Sequence, residues 1–373
     1  MPLVVVDARG ITFRPSGARS RLLGLLREYR QLPQAFDLVV TAVQGRGAAD
    51  LLAGLEVPCM ELPAPGKRAN LVGAVRLLGE PFARADVIHR ETYPAPVAQS
   101  TPVALTVHDL RSIQRPDLQS SRLKGVYERH VLPRVARHLD RVVAVSESTA
   151  DQVHELLHVP RERIAVVPNG VEAPTPPAAD GAEGPVDEDY VLAFGHIEPR
   201  KNLSSLLPIM QRLGNEPSQP HLLVVAGRDL DGVAPLKAAY SELESPSFRL
   251  EILTEVDDTL KSRLLAGAAC LVSPSLLEGF GLVPLEALAL GTPVVASDLP
   301  ATREVLGGSS ALVDPADVQG FAGAIQKAIG DPGARRRAQL AGQSLLDKYA
   351  WAHSALRLHT TYAEMLAERR RAR

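Results

Sequence analysis

Short apolar runs alternate with longer amphipathic ones along most of the chain, which predicts strand–helix–strand units built around parallel sheets. In the first half, Leu3–Val6, Leu38–Ala42, Val87–His89, Val103–Val107, Arg141–Val145 and Ile164–Val167 read as strands. A helix over Arg21–Tyr29 follows the first of them, because Leu22, Leu25 and Leu26 recur at the spacing of one helical face. From Glu172 to Pro185 the pattern breaks: Pro, Ala and Gly dominate, nothing there can be buried, and the stretch reads as a linker. The pattern then restarts, with strands at Tyr190–Phe194, His221–Ala226, Ala269–Ser273 and Pro293–Ala296. Between the last two lies a helix with Pro284 near its first turn and Gly291 just past its end. A long final helix starts near His353.

Both halves open with a strand, a glycine-bearing loop and a helix. The expectation is an α/β chain of two doubly wound, Rossmann-like domains with a ligand cleft between them. The first covers residues 1–172 and takes the final helix, about 353–373, back onto itself; 173–187 is the linker; 188–352 is the second domain.

Composition sharpens this. A length of 373 residues suits two domains, and 45% hydrophobic with 23% charged residues excludes wholesale disorder. No apolar run reaches the roughly 18 residues of a membrane span, and the first residues lack a signal peptide's basic start. Cys59 and Cys270 match no metal or redox spacing, so a reducing, cytoplasmic setting is expected. A net charge of −2 gives no field for gripping nucleic acid, and the terminal Arg369–Arg373 cluster reads as a solvated helix end.

Three loops after strands could carry chemistry. In Pro15-Ser-Gly-Ala-Arg19, Gly17 would let backbone approach an anion at the start of the following helix, although a plain turn explains it equally well. In Gly195-His-Ile-Glu-Pro-Arg-Lys-Asn202, Arg200 and Lys201 can both face a diphosphate, one as a planar fork and one as a point charge; a solvated basic pair is the alternative. The third loop, Pro274–Glu286, joins a buried strand to the Pro-started helix. Glu286 sits there among Leu285, Ala287 and Leu288, where an acid needs a specific partner, and a ribose diol would supply two hydroxyl donors. Glu278 precedes the glycine-flexed turn, and Phe280–Leu282 present backbone N–H groups at the helix start.

Glu278 and Glu286 form a Glu-x₇-Glu motif, and with it the chain resembles the retaining GT-B glycosyltransferases of family 4. The landmarks Thr106-Val-His-Asp109, Ala144-Val-Ser-Glu147, Val167-Pro-Asn-Gly-Val171, Val272-Ser-Pro-Ser275 and Gly291-Thr-Pro-Val-Val-Ala-Ser297 agree, so the likeness runs from about residue 1 to 350. The block Ile197–Asn202 looks most like that of bacterial mannosyltransferase-type members. The resemblance implies that Glu286 holds the nucleotide ribose, that Glu278 touches the transferred sugar, and that the backbone of Phe280, Gly281 and Leu282 holds sugar and phosphate. It makes Lys201 the phosphate-binding lysine, Gly17 the first-domain glycine beside the diphosphate, and His108 the histidine of the sugar pocket. Two positions depart from the family. His196 stands where an arginine is usual, which passes the second positive charge to Arg200, and Arg19-Ser-Arg21 replaces the usual Gly-Arg-Tyr continuation.

The implied reaction moves a hexose from a nucleotide-diphosphate sugar, such as GDP-mannose or a UDP-sugar, to a hydroxyl of a glycan, lipid-linked or small-molecule acceptor. It proceeds with retention, with no cofactor and no metal; Asp229-Leu-Asp231 has the spacing of a cation pair but reads as a loop. In that scheme a donor phosphate oxygen takes the acceptor's proton, so His108 shapes the pocket rather than attacking. His89 and Tyr93 are acceptor-side candidates, and Trp351 reads as a packing anchor. Peripheral membrane contact has no support in the sequence. The alternatives are a nucleotide-sugar epimerase of the same fold, a phosphorylase, which would need pyridoxal phosphate, and an inactive partner subunit, against which intact Glu278, Glu286, Arg200 and Lys201 argue.

Overall fold

In the computed structural model the described residues are 1–11, 16–33, 35–45, 47–63, 79–92, 100–118, 125–172, 188–214 and 219–372. They form two compact units, Met1–Gly170 with Tyr349–Arg373, and Val171–Lys348. The expected linker 173–187 lies outside the described residues, as do Pro15 and Tyr93.

The first unit carries strands β1 (Leu3–Asp7), β2 (Asp37–Val43), β3 (Cys59–Leu62), β4 (Val87–Arg90), β5 (Val103–Val107), β6 (Arg141–Ala144) and β7 (Ile164–Val166). They pair in the order β3-β2-β1-β4-β5-β6-β7, every pair parallel. The second unit carries β8 (Val191–Phe194), β9 (Leu222–Ala226), β10 (Arg249–Leu253), β11 (Cys270–Ser273), β12 (Val294–Ser297) and β13 (Ala311–Val313), ordered β10-β9-β8-β11-β12-β13 and again all parallel. Both are doubly wound sheets. Central strands such as Val103–Val107 and Leu222–Ala226 are buried at every position, which is why they read as unbroken apolar runs. The hydrophobic pattern missed β3, β10 and β13, all at sheet edges, where Glu61, Arg249 and Glu251 interrupt the apolar run or the strand is only three residues long.

Helix α1 (Gly17–Tyr29) begins four residues before the predicted start. Ser16 supplies the reason: its hydroxyl accepts the Arg19 N–H at 3.3 Å and caps the first turn. Gly17 therefore starts the helix rather than lying in a loop. The final helix α4 (Trp351–Ala372; α2 and α3 are given below) belongs to the first unit, and Tyr362, Met365 and Leu366 join the core formed by β1, β2 and α1. Arg369, from the basic terminus, donates to the carbonyls of Ala85 and Asp86 rather than lying wholly in solvent. Among the described residues no helix is long and apolar enough to cross a membrane.

Trp351 is seated in a slot cut by two glycines. A Cβ at Gly24 or at Gly170 would fall 2.3 Å from its indole ring. Trp351 is also the single tryptophan of the chain, so its fluorescence reports on the first unit alone. Gly170→Ala should destabilise that unit by about 1–3 kcal/mol, the usual effect of overpacking. Denaturant melts followed by tryptophan emission check this, and an unshifted midpoint would mean that the ring is not held in this slot.

Candidate active site

In the second sheet the strand order reverses between β8 and β11, and doubly wound folds bind ligands beyond the strand ends at such a point. The loops leaving these two strands carry the sequence candidates. After β8, Gly195 adopts φ +139 and lies so close to Gly227 that a Cβ at Gly227 would fall 1.9 Å from the Gly195 carbonyl oxygen. The chain then makes a short 3₁₀ turn at Pro199–Lys201, ended by Asn202 in the left-handed region. The two loops are tied by the Leu276 N–H, which donates to the Arg200 carbonyl at 2.9 Å.

Glu278 is the meeting point. Lys201 Nζ donates to its Oε1 at 2.5 Å, Ser275 Oγ to the same oxygen at 2.7 Å, and Arg200 Nη1 to its Oε2 at 3.1 Å. Arg200 also donates through Nε to Glu198 Oε1 at 2.9 Å and through Nη1 to the Leu277 carbonyl at 3.2 Å. The two cations are thus paired, and the four charges of Glu198, Arg200, Lys201 and Glu278 sum to zero. Arg200 and Lys201, read from the sequence as able to face a diphosphate, are each held by a carboxylate in this structure. Burial pushes the Glu278 carboxyl up, but Lys201 and Arg200, with the Ser275 hydroxyl, outweigh it and bring the group down to about 2. Burial lowers Lys201, with Glu278 opposing. His196 is lowered by burial too, with Arg200, Lys201 and Arg228 adding to the effect.

Glu286 lies on α3 (Leu282–Ala289), facing α2 (Asp258–Gly267). Lys261 Nζ donates to its Oε1 at 2.6 Å. Its Oε2 is buried and has no hydrogen-bond partner among the described residues. Burial raises the Glu286 carboxyl, and Lys261 only partly opposes this. Gly281 precedes α3 with φ +93, open space where a Cβ would stand, and no side chain capping the helix. The first-turn N–H groups of an uncapped helix have no intrahelical partner. Phe280 is buried beside it. Sequence reasoning missed Lys261, Ser275 and Glu198. The signal for Lys261 was available, since an acid on so apolar a helix demands a partner. Asp229 accepts the N–H groups of Gly232 and Val233 at 2.9 and 3.1 Å, and so caps the following turn.

The remaining candidates lie in the first unit. His108, just past β5, is half-buried and its Nε2 is 3.1 Å from the Glu91 carbonyl oxygen. His89 is corrected from acceptor-side candidate to core residue. It is fully enclosed, Nδ1 meets the Tyr362 hydroxyl at 2.5 Å and Nε2 meets Thr106 Oγ1 at 2.8 Å. Burial pushes it down to about 4, and no ring nitrogen remains for a ligand. Gly17 is exposed at the start of α1, and Tyr93 lies outside the described residues.

The family described as Glycosyltransferase Family 4 matches residues 15–173, and that described as Glycosyl transferases group 1 matches residues 180–344. The two matches together cover most of the chain, its first part with the family 4 model and its second part with the group 1 model. The chain is 32% identical over 222 residues to the O-antigen chain mannosyltransferase RfbU of Salmonella typhimurium, covering 60% of this chain and 59% of RfbU. It is 28% identical over 228 residues to the serotype-specific mannosyltransferase WbdA of Escherichia coli, covering 58% of this chain and 28% of WbdA. The matched part is thus less than two thirds of each relative. Anabaena HepE, solved in complex with UDP and glucose, superposes with a TM-score of 0.76 at 18% identity over 98% of this chain and all of that one. Sucrose-phosphate synthase of Thermosynechococcus elongatus gives 0.75 at 18%, covering 99% of this chain and 100% of that one. The fold is GT-B.

The pairing of Glu278 has a measurable signature. Its folded value lies below the ordinary 4.5, so the stability it confers is complete above pH 4.5 and is lost as pH falls toward about 2. The stability difference between wild type and Glu278→Gln should therefore shrink across that interval in denaturant melts taken at a series of pH values. A difference that does not vary with pH would mean that the carboxylate is not ion-paired in solution.

Proposed function

We propose that the chain is a retaining, metal-independent hexosyltransferase that moves a sugar from a nucleotide-diphosphate donor to a hydroxyl of a glycan or lipid-linked acceptor on the cytoplasmic side. The observation that carries this reading is Glu286: a half-buried side chain with one carboxylate oxygen on Lys261 and the other, Oε2, enclosed and unpartnered among the described residues. An unpaired buried acceptor is costly, and a ribose hydroxyl donating to Oε2 would remove that cost. Mannose is the first donor sugar to test, because RfbU and WbdA are mannosyltransferases; the UDP bound to HepE makes a UDP-sugar the second.

The chemistry follows from the cluster at Glu278. The donor's C1–O bond breaks with its electron pair going to the diphosphate, while the acceptor oxygen bonds to C1 on the same face and gives its proton to a phosphate oxygen. Negative charge therefore grows on the leaving group. Lys201 has three donor hydrogens and can keep Glu278 while taking a phosphate oxygen; the start of α3 offers N–H groups beside Gly281. Glu278, freed in part from its cations, becomes an acceptor for sugar hydroxyls. The family resemblance assigns His108 to recognition of the transferred sugar.

Glu286→Ala should weaken binding of bare GDP or UDP roughly ten- to a hundredfold, the effect of losing a charged acceptor, in calorimetric titration; unchanged affinity would place the ribose elsewhere. Transfer should persist in excess chelator and turn an α-linked donor into an α-linked product by anomeric proton coupling. An absolute Mg²⁺ or Mn²⁺ requirement, or an inverted product, would overturn the mechanism.

A further inference from the structure

Behind His108, the first unit holds a buried polar cluster that the donor chemistry does not use. Arg21 lies on the face of α1 that carries Leu22, Leu25 and Leu26, and it is the largest of the fully buried side chains. Its Nη1 donates to the Val167 carbonyl at 3.0 Å, the Pro168 carbonyl at 3.3 Å and Asn169 Oδ1 at 2.9 Å, all in the loop after β7. Its Nε lies 3.6 Å from Glu91 Oε2, just past β4. Arg21 Nε and Nη2 and Glu91 Oε2 form no hydrogen bond among the described residues, so this is an ion pair held by charge and enclosure. A buried pair of this kind is weak as a source of stability, and an aliphatic residue would fill the same face of α1 at lower desolvation cost. Stability alone does not account for Arg21.

What the pair fixes is the Glu91 backbone, whose carbonyl faces His108 Nε2 at 3.1 Å. A carbonyl only accepts, so Nε2 carries the hydrogen, and in the neutral ring Nδ1 keeps a free lone pair. The charged and titratable groups that face His108 are Arg21 from α1, Glu91 and His89 from the end of β4, and Asp109 on its own loop, with Tyr362 of α4 facing Arg21 and Glu91. Burial holds His108 below the ordinary histidine value and Arg21 adds to this, while Glu91 and Asp109 oppose.

We propose that Arg21 is a positioning residue: it anchors Glu91, and through the Glu91 carbonyl it holds His108 in the Nε2–H form, with Nδ1 left as an acceptor for a hydroxyl of the transferred sugar. The inference rests on the reading of His108 as part of the sugar pocket. It adds a substrate consequence, because a neutral ring offering only a lone pair accepts from a hydroxyl and repels an anionic group at that position.

The test uses the full chain labelled with ¹⁵N-histidine. Two-bond ¹H–¹⁵N spectra across a pH series report the tautomer and titration of each ring, with His108→Gln assigning the signal. Wild-type His108 should be in the Nε2–H form at pH 7 and titrate below about 6.5. Arg21→Met removes the cation, so His108 should titrate at higher pH and the acid limb of kcat should move up with it. Its kcat should fall roughly tenfold or more while donor KM stays within about twofold, as expected for a misaligned group. If Arg21→Met does not fold, Arg21→Lys carries the test: it keeps the charge but not the fork, so His108 should stay neutral with mixed tautomers. A wild-type Nδ1–H form, or a tautomer and titration unmoved in the folded variant, overturns the proposal. Binding of GDP and UDP is measured in parallel. If wild type binds neither, the donor-site reading fails, while the histidine spectra still decide for or against Arg21.

Discussion

One carboxylate holds the second unit's switch-point loops together. Glu278 receives Lys201, Arg200 and Ser275, and the Leu276-to-Arg200 backbone bond closes the same junction. Buried charges of either sign are costly alone, and Glu198 and Glu278 offset part of that cost for Arg200 and Lys201. On the proposed function, donor binding would be an exchange of anions around fixed cations, with phosphate taking a share of what a carboxylate held. Such an exchange needs little reorganisation, which is the condition under which prearranged charges stabilise a leaving group most.

The first unit applies the same constraint to a different end. Arg21 is buried without the full set of hydrogen bonds that Arg200 enjoys, and its cost is met by Glu91 and by the Val167–Asn169 loop. His89, locked between Tyr362 and Thr106, ties α4 to the sheet at the next position but one. The final helix therefore closes the same polar core that supports His108, and Trp351 pins its start between Gly24 and Gly170.

The central strands were legible because burial on both faces forces unbroken apolar runs, as in Val103–Val107. Three of the four edge strands were not; on β10, for instance, Arg249 and Glu251 mimic a solvated turn. Glu278, Glu286, Arg200 and Lys201 could be picked out by type and by their place after strands. Their pairing could not, because Lys201 and Glu278 stand 77 positions apart and only the fold brings them to 2.5 Å. His89 misled for the same reason. Its position after a strand on the ligand edge looked functional, yet Tyr362, 273 positions away, had already taken its ring nitrogen. Arg21 gave no signal of its own, since a polar residue on an apolar helix face reads as a blemish until its partners in three other segments are visible.

The claim that Glu278 stands in for phosphate at rest is open to one direct measurement: calorimetric titration of GDP and UDP into wild type and Glu278→Gln, beside turnover with the matching sugar donor. With the competing carboxylate gone and the side-chain shape kept, the variant should bind the bare diphosphate at least as tightly as wild type. Transfer, in which the carboxylate is proposed to hold the sugar, should fall by roughly a hundredfold. A variant that loses diphosphate affinity as severely as Lys201→Ala does would contradict the account, because Glu278 would then be supporting the cations rather than competing for them.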